Sequence, residues 1–378
     1  MYKQKINDKG HVFDQTLKGG SDMACKNLKE LLQRFDNEIG ISGYEVDGTI
    51  IPAIKEEMEG YYDEYFEDNL HNQFFVKKGK GDKKVLLASH MDELGFIVTY
   101  VEEDGMVRFA PIGLHDDRGC IDQKLCIHTK KGPVYGVTGS KPDHILTEEE
   151  KKSVLPIPAL FIDIGATSRK EANDMGVFTG SLVSWTTKGE YLNGTNTYSG
   201  KSVDNRAGCA IMVEVMRRLH DEGVDNVTFY GVGTVQEELL CRGAAAVGHR
   251  IQPDIALSLD VTLAFGPDVE EKQVPMKFGG GACVKMFDFA YELCVGTPVP
   301  TEITEKMMEV AEEKNINYQR EVLIGGTTDS HAIQIAGDGV KAGAISLPSR
   351  YIHTAIGTVH LQDLQDSVDL IVEYVKTL

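Results

Sequence analysis

The stretch of residues 85–95 constrains the fold of this chain more than any other. Its sequence is Val-Leu-Leu-Ala-Ser-His-Met-Asp-Glu-Leu-Gly, four apolar or small residues followed mostly by polar ones. This pattern predicts a buried strand, and because side chains alternate along a strand, His90 and Asp92 point to the same side. A metal-binding imidazole usually has a carboxylate nearby that fixes the orientation of its ring. The stretch therefore indicates either a metal ligand with its supporting acid or a strand that simply ends in polar residues.

Strand patterns alternate with amphipathic helix patterns on both sides of a β-rich middle segment. Such alternation is typical of an α/β fold, and we predict a mostly parallel sheet covered by helices on both faces. Before the middle segment we predict helices over 22–35 and 47–60, a strand or hairpin edge over 61–76 and the strand that ends at His90. Beyond residue 190 we predict a helix opening at Asp204, a strand over 227–235, a helix over 242–247, a strand over 255–259, a helix over 301–314, strands over 321–324 and 344–347, and a helix over 363–378.

Residues 97–190 differ from both flanks, because short alternating segments are separated by glycines. Short strands with turns marked by glycine predict a small β-barrel or sandwich. We expect a small β-barrel domain inserted into the α/β domain. The predicted organisation is a first part of the α/β domain at 1–96, of which 1–22 is a loosely ordered lead-in, the inserted domain at 97–190, and the second part at 191–378.

The composition restricts the classes of partner. The 378 residues carry a formal net charge of −19, which disfavours binding to nucleic acid or to an anionic membrane surface. The seven cysteines are scattered and form no CxxC pair, so we expect reduced thiols rather than disulfides or a zinc ribbon. The first residues lack the apolar core of a secretory signal, and no apolar run is long enough to span a bilayer. We therefore predict a soluble, cytoplasmic protein.

Residue types that bind metal ions follow several of the predicted strands. Ligands of open α/β sheets bind at the carboxyl ends of the strands, so these residues are expected at one edge. They are His90 with Asp92, Glu237 with Glu238, Asp260, His353 and, at a loop-to-helix junction, Asp204. The adjacent acids Glu237 and Glu238 would repel each other at a buried strand end unless a cation were present.

Each of the other residues has an ordinary alternative. Asp204 could be a helix N-cap, Asp260 an acid at a strand end and His353 a loop histidine. Taken together, the residues predict a dinuclear metallohydrolase, because mixed His and carboxylate ligation suits zinc, cobalt or manganese better than calcium. One of the two adjacent Glu residues would remain free as a general base. The glycine run 279–281 lacks the spacing of a nucleotide-binding loop, so no nucleotide cofactor is expected.

These motifs and their order resemble the glutamyl-aminopeptidase and tetrahedral-aminopeptidase family of dinuclear metallo-aminopeptidases, some of which are cellulase-M-like. The resemblance extends from about residue 25 to the C-terminus. It implies the metallo-aminopeptidase (phosphorylase/hydrolase-like) fold with a PDZ-like inserted domain. The matching stretches are Gly-Ile-Ser-Gly-Tyr-Glu at 40–45, His-Met-Asp-Glu-Leu-Gly at 90–95, Phe-Ile-Asp-Ile-Gly-Ala at 161–166, Ser-Val-Asp-Asn-Arg-Ala-Gly at 202–208, Val-Gln-Glu-Glu at 235–238, Leu-Asp-Val-Thr at 259–262 and Arg-Tyr-Ile-His-Thr at 350–354.

The resemblance implies five ligands for two divalent metal ions, which would be zinc, cobalt or manganese. Asp204 would bridge the two ions, with His90 and Asp260 completing the first site. Glu238 and His353 would complete the second.

The same resemblance implies the reaction and the assembly. Glu237 would be the general base that takes a proton from the attacking water, and Asp92 would hold His90 from behind. The protein would remove the N-terminal residue of peptides. Its inserted domain would act as a lid and in dimerisation, and its dimers would assemble into a tetrahedral dodecamer.

Three positions depart from the family pattern. Leu240 stands where a glycine is usual, the Gly-Gly-Thr-Thr-Asp stretch at 325–329 is one residue longer, and Gly357 stands where a glutamate is frequent. None is an implied ligand, so we expect the reaction class to hold. The alternatives are a shell-forming relative without catalysis and a hydrolase of another amide or of a glycoside. A glycosidase is disfavoured because it usually places two carboxylates on either side of the sugar bond and uses no metal pair.

Overall fold

The structure is a computed structural model that describes residues 25–224 and 226–378. The predicted lead-in at 1–22 and the first residues of the helix predicted at 22–35 lie outside the described residues. The described chain divides into two compact units. The larger unit contains the residues up to 93 together with 188–352 and 356–378, and the smaller contains 94–187 and 353–355.

The larger unit contains seven α-helices and twelve strands within the described residues. Its helices are α1 (Leu28–Asp36), α2 (Ile50–Met58), α4 (Val203–Glu222), α5 (Arg242–Ile251), α6 (Thr301–Lys314), α7 (Asp329–Gln334) and α8 (Leu361–Lys376). Its strands are β1 (Glu64–Glu67), β2 (Gln73–Lys77), β3 (Lys83–His90), β9 (Glu190–Tyr191), β10 (Thr197–Gly200), β11 (Val227–Thr234), β12 (Ile255–Leu263), β13 (Ala282–Ala290), β14 (Val295–Pro298), β15 (Tyr318–Ile324), β16 (Lys341–Arg350) and β17 (Gly357–His360).

The strands of the larger unit form one mixed sheet, so the prediction of a mostly parallel sheet was wrong. Its main order is β1-β2-β11-β3-β12-β16-β17-β10-β9, with β13, β14 and β15 joined through β16. The central neighbours β11, β3, β12 and β16 are parallel, whereas β1, β2, β17, β10 and β9 pair antiparallel. Short connections such as the one between β1 and β2 allow only antiparallel pairing, because a parallel pair needs a long crossover.

Helices cover both faces of this sheet, as the sequence predicts. Along β3, Val85 and Leu87 belong to a core with α1, α2, α4, α6 and α8, whereas Leu86 and Ala88 belong to a core with α5 and α7. The alternation follows from the period of two in a strand, and a strand with apolar residues at successive positions must be covered on both faces. The predicted α/β fold with a large sheet flanked by helices is therefore confirmed.

The smaller unit is mainly β-structure. Its helix α3 (Arg169–Met175) accompanies the strands β4 (Gly95–Val101), β5 (Val107–Ile112), β6 (Lys124–Thr129), β7 (Gly132–Val137) and β8 (Leu182–Trp185). These strands pair antiparallel in the order β5-β4-β8-β6-β7. The two outer strands, β5 and β7, each form an isolated β-bridge with the same segment. Val107 of β5 pairs with Ile162, and Val137 of β7 pairs with Asp163. Phe96, Phe109 and Trp185 pack edge to face in the core of this unit.

Every helix within the described ranges is either too short or too polar to cross a membrane.

Candidate metal centre

The carboxyl ends of three neighbouring parallel strands define the site. β3 lies between β11 and β12, with His90 opposite Thr234 and Ser89 opposite Leu259. Asp260 is therefore one position past Leu259, the last residue of β12 that pairs with β3. The sequence places Asp260 after the end of its strand, but β12 continues to Leu263 because it remains paired with β16.

Four carboxylates surround the imidazole of His90. Its Nε2 atom lies 3.2 Å from Asp204 Oδ1, 3.6 Å from Asp260 Oδ1 and 4.0 Å from Glu237 Oε2. On the other side of the ring, Nδ1 lies 3.4 Å from Asp92 Oδ1. Asp92, two residues beyond the end of β3, thus lies behind the imidazole as expected, where a carboxylate can fix the ring orientation.

Asp204 belongs to the first turn of α4, whose backbone is not helical at Asp204 or Asn205. The side chain of Asn205 anchors this turn, because its Nδ2 donates to the carbonyl of Leu259 at 2.7 Å and its Oδ1 accepts from the amide of Gly208 at 3.0 Å. Asp204 offers a carboxylate oxygen within 4.8 Å of donor atoms of His90 and Asp260, and also of Glu238. Asp204 is thus the carboxylate that these donor groups share.

Buried side chains help to hold the turn that carries Glu237 and Glu238, in addition to the backbone hydrogen bonds within the turn. Asp92 accepts from the amides of Glu237 and Glu238, each at 3.1 Å, through its two oxygens. Glu45 accepts from the amide of Gln236 at 2.9 Å, and Asn72 accepts from the amide of Val235 at 3.0 Å. Glu45 is the last residue of the Gly-Ile-Ser-Gly-Tyr-Glu motif, so this motif supports the turn after β11.

Two residues that the sequence analysis did not assign lie beside Glu237. Cys241 donates from Sγ to Glu237 Oε1 at 3.3 Å, and Asp329 has an oxygen within 4.8 Å of donor atoms of both residues. Asp329 begins α7, immediately after the lengthened glycine-threonine stretch. An acid at the end of a glycine-rich loop was the available signal, but its contact with Glu237 depends on pairing between distant segments.

The carboxylates near His90 strongly affect one another's pKa. Burial raises the pKa of Glu237 well above its usual value, and the charges of Asp260, Glu238 and Asp329 raise it further. Burial is also the main reason why the pKa of Asp329 rises to about 7. Burial would lower the pKa of His90, but hydrogen bonds and charge from the surrounding carboxylates raise it well above its usual value.

This electrostatic pattern fits a site for divalent cations. Several acids that share one small volume ionise together only if positive charge is supplied. The donor atoms are imidazole nitrogen and carboxylate oxygen, a set that suits zinc, cobalt or manganese. Among the described residues, His90, Asp204 and Asp260 form one such group.

His353 is the remaining predicted ligand. It comes three residues after the end of β16, in the segment 353–355 that belongs to the smaller unit, and its φ is 60°. The flanking residues Ile352 and Ile356 both belong to the larger unit.

The structure shows the local surroundings of the three departures from the family pattern. Leu240 has a φ of 72°, the left-handed region that glycine adopts at least cost, so the usual glycine suits this turn better. A Cβ atom on Gly357 would lie 2.6 Å from Val203 Cγ2, so a glutamate here would require Val203 to move. In the longer stretch, Thr327 donates from Oγ1 to Asp288 Oδ1 at 3.0 Å.

Comparison with known proteins identifies the family. The family model described as M42 glutamyl aminopeptidase matches residues 72–370. The chain belongs to this family. The predicted family is therefore confirmed, and M42 proteins are metal-dependent peptide hydrolases.

Similar M42 proteins match nearly the whole chain. The lysyl aminopeptidase of Pyrococcus furiosus is 30% identical over 343 residues, which cover 90% of this chain and 94% of that protein. The solved TET aminopeptidase of a marine-sediment Thaumarchaeota archaeon matches with a TM-score of 0.87 and 33% identity, covering 93% and 96% of the two chains. The Pyrococcus horikoshii TET1 peptidase, which can assemble into a tetrahedron or a large octahedral shell, matches with a TM-score of 0.80 and 31% identity, covering 93% and 100%.

Proposed function

We propose that this M42 protein is an aminopeptidase that hydrolyses the N-terminal residue of peptides with two divalent metal ions and a glutamate base. The observation that carries the proposal is the position of Asp204. Its carboxylate offers an oxygen within 4.8 Å of possible metal-ligand atoms of His90 and Asp260, and also of Glu238. A carboxylate common to two donor sets is what a dinuclear centre requires. The proposed ions are zinc, cobalt or manganese.

In the proposed centre, His90 and Asp260 hold one ion, and Glu238 and His353 hold the other. His353 is included because it is the histidine of the Arg-Tyr-Ile-His-Thr stretch at 350–354, the position at which the family resemblance implies the second imidazole ligand. Bound ions would supply Lewis acidity toward the peptide carbonyl and would lower the pKa of a water molecule.

Glu237 is the residue that we propose moves the proton. Its Oε2 lies 4.0 Å from Nε2 of His90, and its backbone amide donates to Asp92. The carboxylate is therefore held beside the five proposed metal ligands but is not itself one of them. Glu237 accepts the proton of the attacking water and delivers it to the leaving amine.

We further propose that the smaller unit is the PDZ-like domain inserted at about 97–190 and acts as a lid and in dimerisation. The TET1 peptidase named above forms closed shells, which supports a homo-oligomer here, and we propose a tetrahedral dodecamer in the cytoplasm. Sedimentation should then show a particle of twelve chains of 41.6 kDa. A stable monomer would contradict the assembly without affecting the proposed chemistry.

Metal content and peptide cleavage test the function together. We expect mass spectrometry to find about two divalent ions per chain, as the dinuclear arrangement requires. We also expect cleavage of some members of a panel of aminoacyl anilides, lost on chelation and restored by zinc, cobalt or manganese. Cellulose oligomers serve as the control substrate for the glycosidase alternative. Absence of both metal and cleavage would instead favour a shell-forming protein without catalysis.

Replacing Asp92 by Asn tests its proposed support of His90. The amide retains one acceptor but removes the negative charge beside Nδ1 and places an NH₂ group against one of the two amides that Asp92 now accepts from. We expect metal affinity to fall by ~10–100-fold, the usual cost of losing a partner that orients a metal-binding histidine. Competition with a metal indicator measures this change. Unchanged affinity would contradict the supporting role.

A further inference from the structure

A second set of possible metal-ligand atoms lies beside the proposed two-ion centre. Glu237, Cys241 and Asp329 each offer one ligand atom, and these atoms lie within 4.8 Å of one another. Cys241 and Asp329 are each only 2% exposed. This group contains a thiol, whereas the ligands proposed for the two catalytic ions supply only nitrogen and oxygen.

Asp329 gives independent evidence that these three side chains suit a cation, because one of its carboxylate oxygens has no hydrogen-bond donor among the described residues. Its Oδ2 accepts from Oγ1 of Thr234 at 2.5 Å. Its Oδ1 is fully buried, and no described residue donates a hydrogen bond to it. A buried carboxylate oxygen without a partner is costly, and a bound cation would remove this cost.

We propose that Cys241, Glu237 and Asp329 form a separate binding site for a thiophilic divalent cation of the zinc or cadmium type. A thiolate with two carboxylates is a suitable donor set for such an ion. Binding would release the thiol proton to solvent, because a coordinated cysteine is deprotonated. The ion would enter past Glu237, whose side chain is 12% exposed and is therefore the accessible member of the group.

Occupation of this site would inhibit the enzyme. An ion bound to Glu237 would engage the carboxylate that must accept a proton, so excess thiophilic metal would stop turnover while the catalytic ions remained bound. This effect rests on the proposed function of Glu237, whereas binding of the ion does not. Binding and inhibition can therefore be tested separately.

Two other cysteines must be distinguished from Cys241, and one of them provides the control variant. Cys294 is exposed and would report adventitious binding to a surface thiol. Cys209 is buried near the site, but its Sγ contacts the carbonyl of His90 at 3.2 Å and Ser89 Oγ at 3.7 Å rather than a carboxylate. Cys241 is therefore the thiol expected to bind the ion, and Cys241→Ser preserves a hydroxyl donor toward Glu237.

The test is a cadmium titration of the full-length, metal-loaded protein. Thiolate-to-cadmium charge-transfer absorption and bound cadmium by mass spectrometry are measured for the wild type, Cys241→Ser and Cys294→Ser. We expect the wild type and Cys294→Ser to show the band at similar cadmium concentrations. Cys241→Ser should lose the band and bind one cadmium fewer per chain. The cadmium concentration for half-inhibition, measured relative to each protein's own untreated rate, should rise by about tenfold or more in Cys241→Ser.

Equal absorption and equal cadmium content in the wild type and Cys241→Ser would overturn the proposal. If Cys241→Ser does not fold, cobalt added to the wild type serves instead, because a cobalt–thiolate band requires no variant, and its absence would overturn the site. A band without inhibition would contradict the role of Glu237 while leaving the site intact. A band in a protein without peptidase activity would mark a failure of the proposed function alone.

Discussion

Replacing Glu237 by Gln is expected to lower kcat by about 10²–10⁴-fold, the usual contribution of a positioned general base. Gln has nearly the same shape, but its neutral amide is too weak a base to accept a proton from water. The backbone of residue 237 would remain in place, because Asp92 holds its amide and not its side chain. Metal content should therefore remain close to that of the wild type.

The adjacent Glu238→Gln variant is the matched control for this prediction. Asp92 fixes both amides through equivalent contacts at 3.1 Å, so the two variants perturb the turn similarly. We expect both to lose activity, but only Glu238→Gln to lose bound metal. Rates at saturating substrate and metal analysis of the same samples distinguish them. Loss of metal from Glu237→Gln would contradict its assignment as a base, and retained turnover would exclude it.

The parts of the site that the sequence predicts depend on local periodicity. The period of two of an extended chain relates His90, the last residue of β3, to Asp92 just beyond it, and the hydrophobic pattern predicts the strand itself. The helix predicted over 301–314 has the same bounds as α6, because its apolar spacing and its flanking residues both lie within a single segment. Helix α1 begins later than predicted, at Leu28, because the side chain of Asn27 accepts from the amide of Glu30 and caps the helix there.

The parts that the sequence does not predict depend on pairing between distant segments. Antiparallel strands at the ends of the sheet have the same local pattern as parallel ones, so the mixed sheet is decided by which segments meet. Glu45 supports Gln236 from a position almost 200 residues earlier, and no periodicity links the two. The same is true of Cys241 and Asp329, whose proximity to each other follows from the packing of α5 against α7.

The two-ion proposal depends most on Asp204, which is proposed to bind both ions. Replacing Asp204 by Asn is therefore expected to remove both ions. A bridging carboxylate contributes to two sites, so its loss should exceed the ~10–100-fold affinity change typical of a supporting residue. Asp260→Asn, which alters a ligand of only one proposed site, should retain part of the metal. Asp221→Asn is the control on the same helix, because this acid is exposed near the far end of α4.

Thermal unfolding provides a readout of Asp204 that does not require turnover. Ions that bind only the folded state raise Tm, so the wild type should unfold at a higher temperature with added zinc or cobalt than with chelator. This increment should nearly vanish in Asp204→Asn, remain in part in Asp260→Asn and persist in Asp221→Asn. If Asp204→Asn instead kept one ion and half of the increment, Asp204 would serve a single ion and the centre would not be bridged by it. The shared position of this carboxylate between His90 and Glu238 is the reason that we expect the first result.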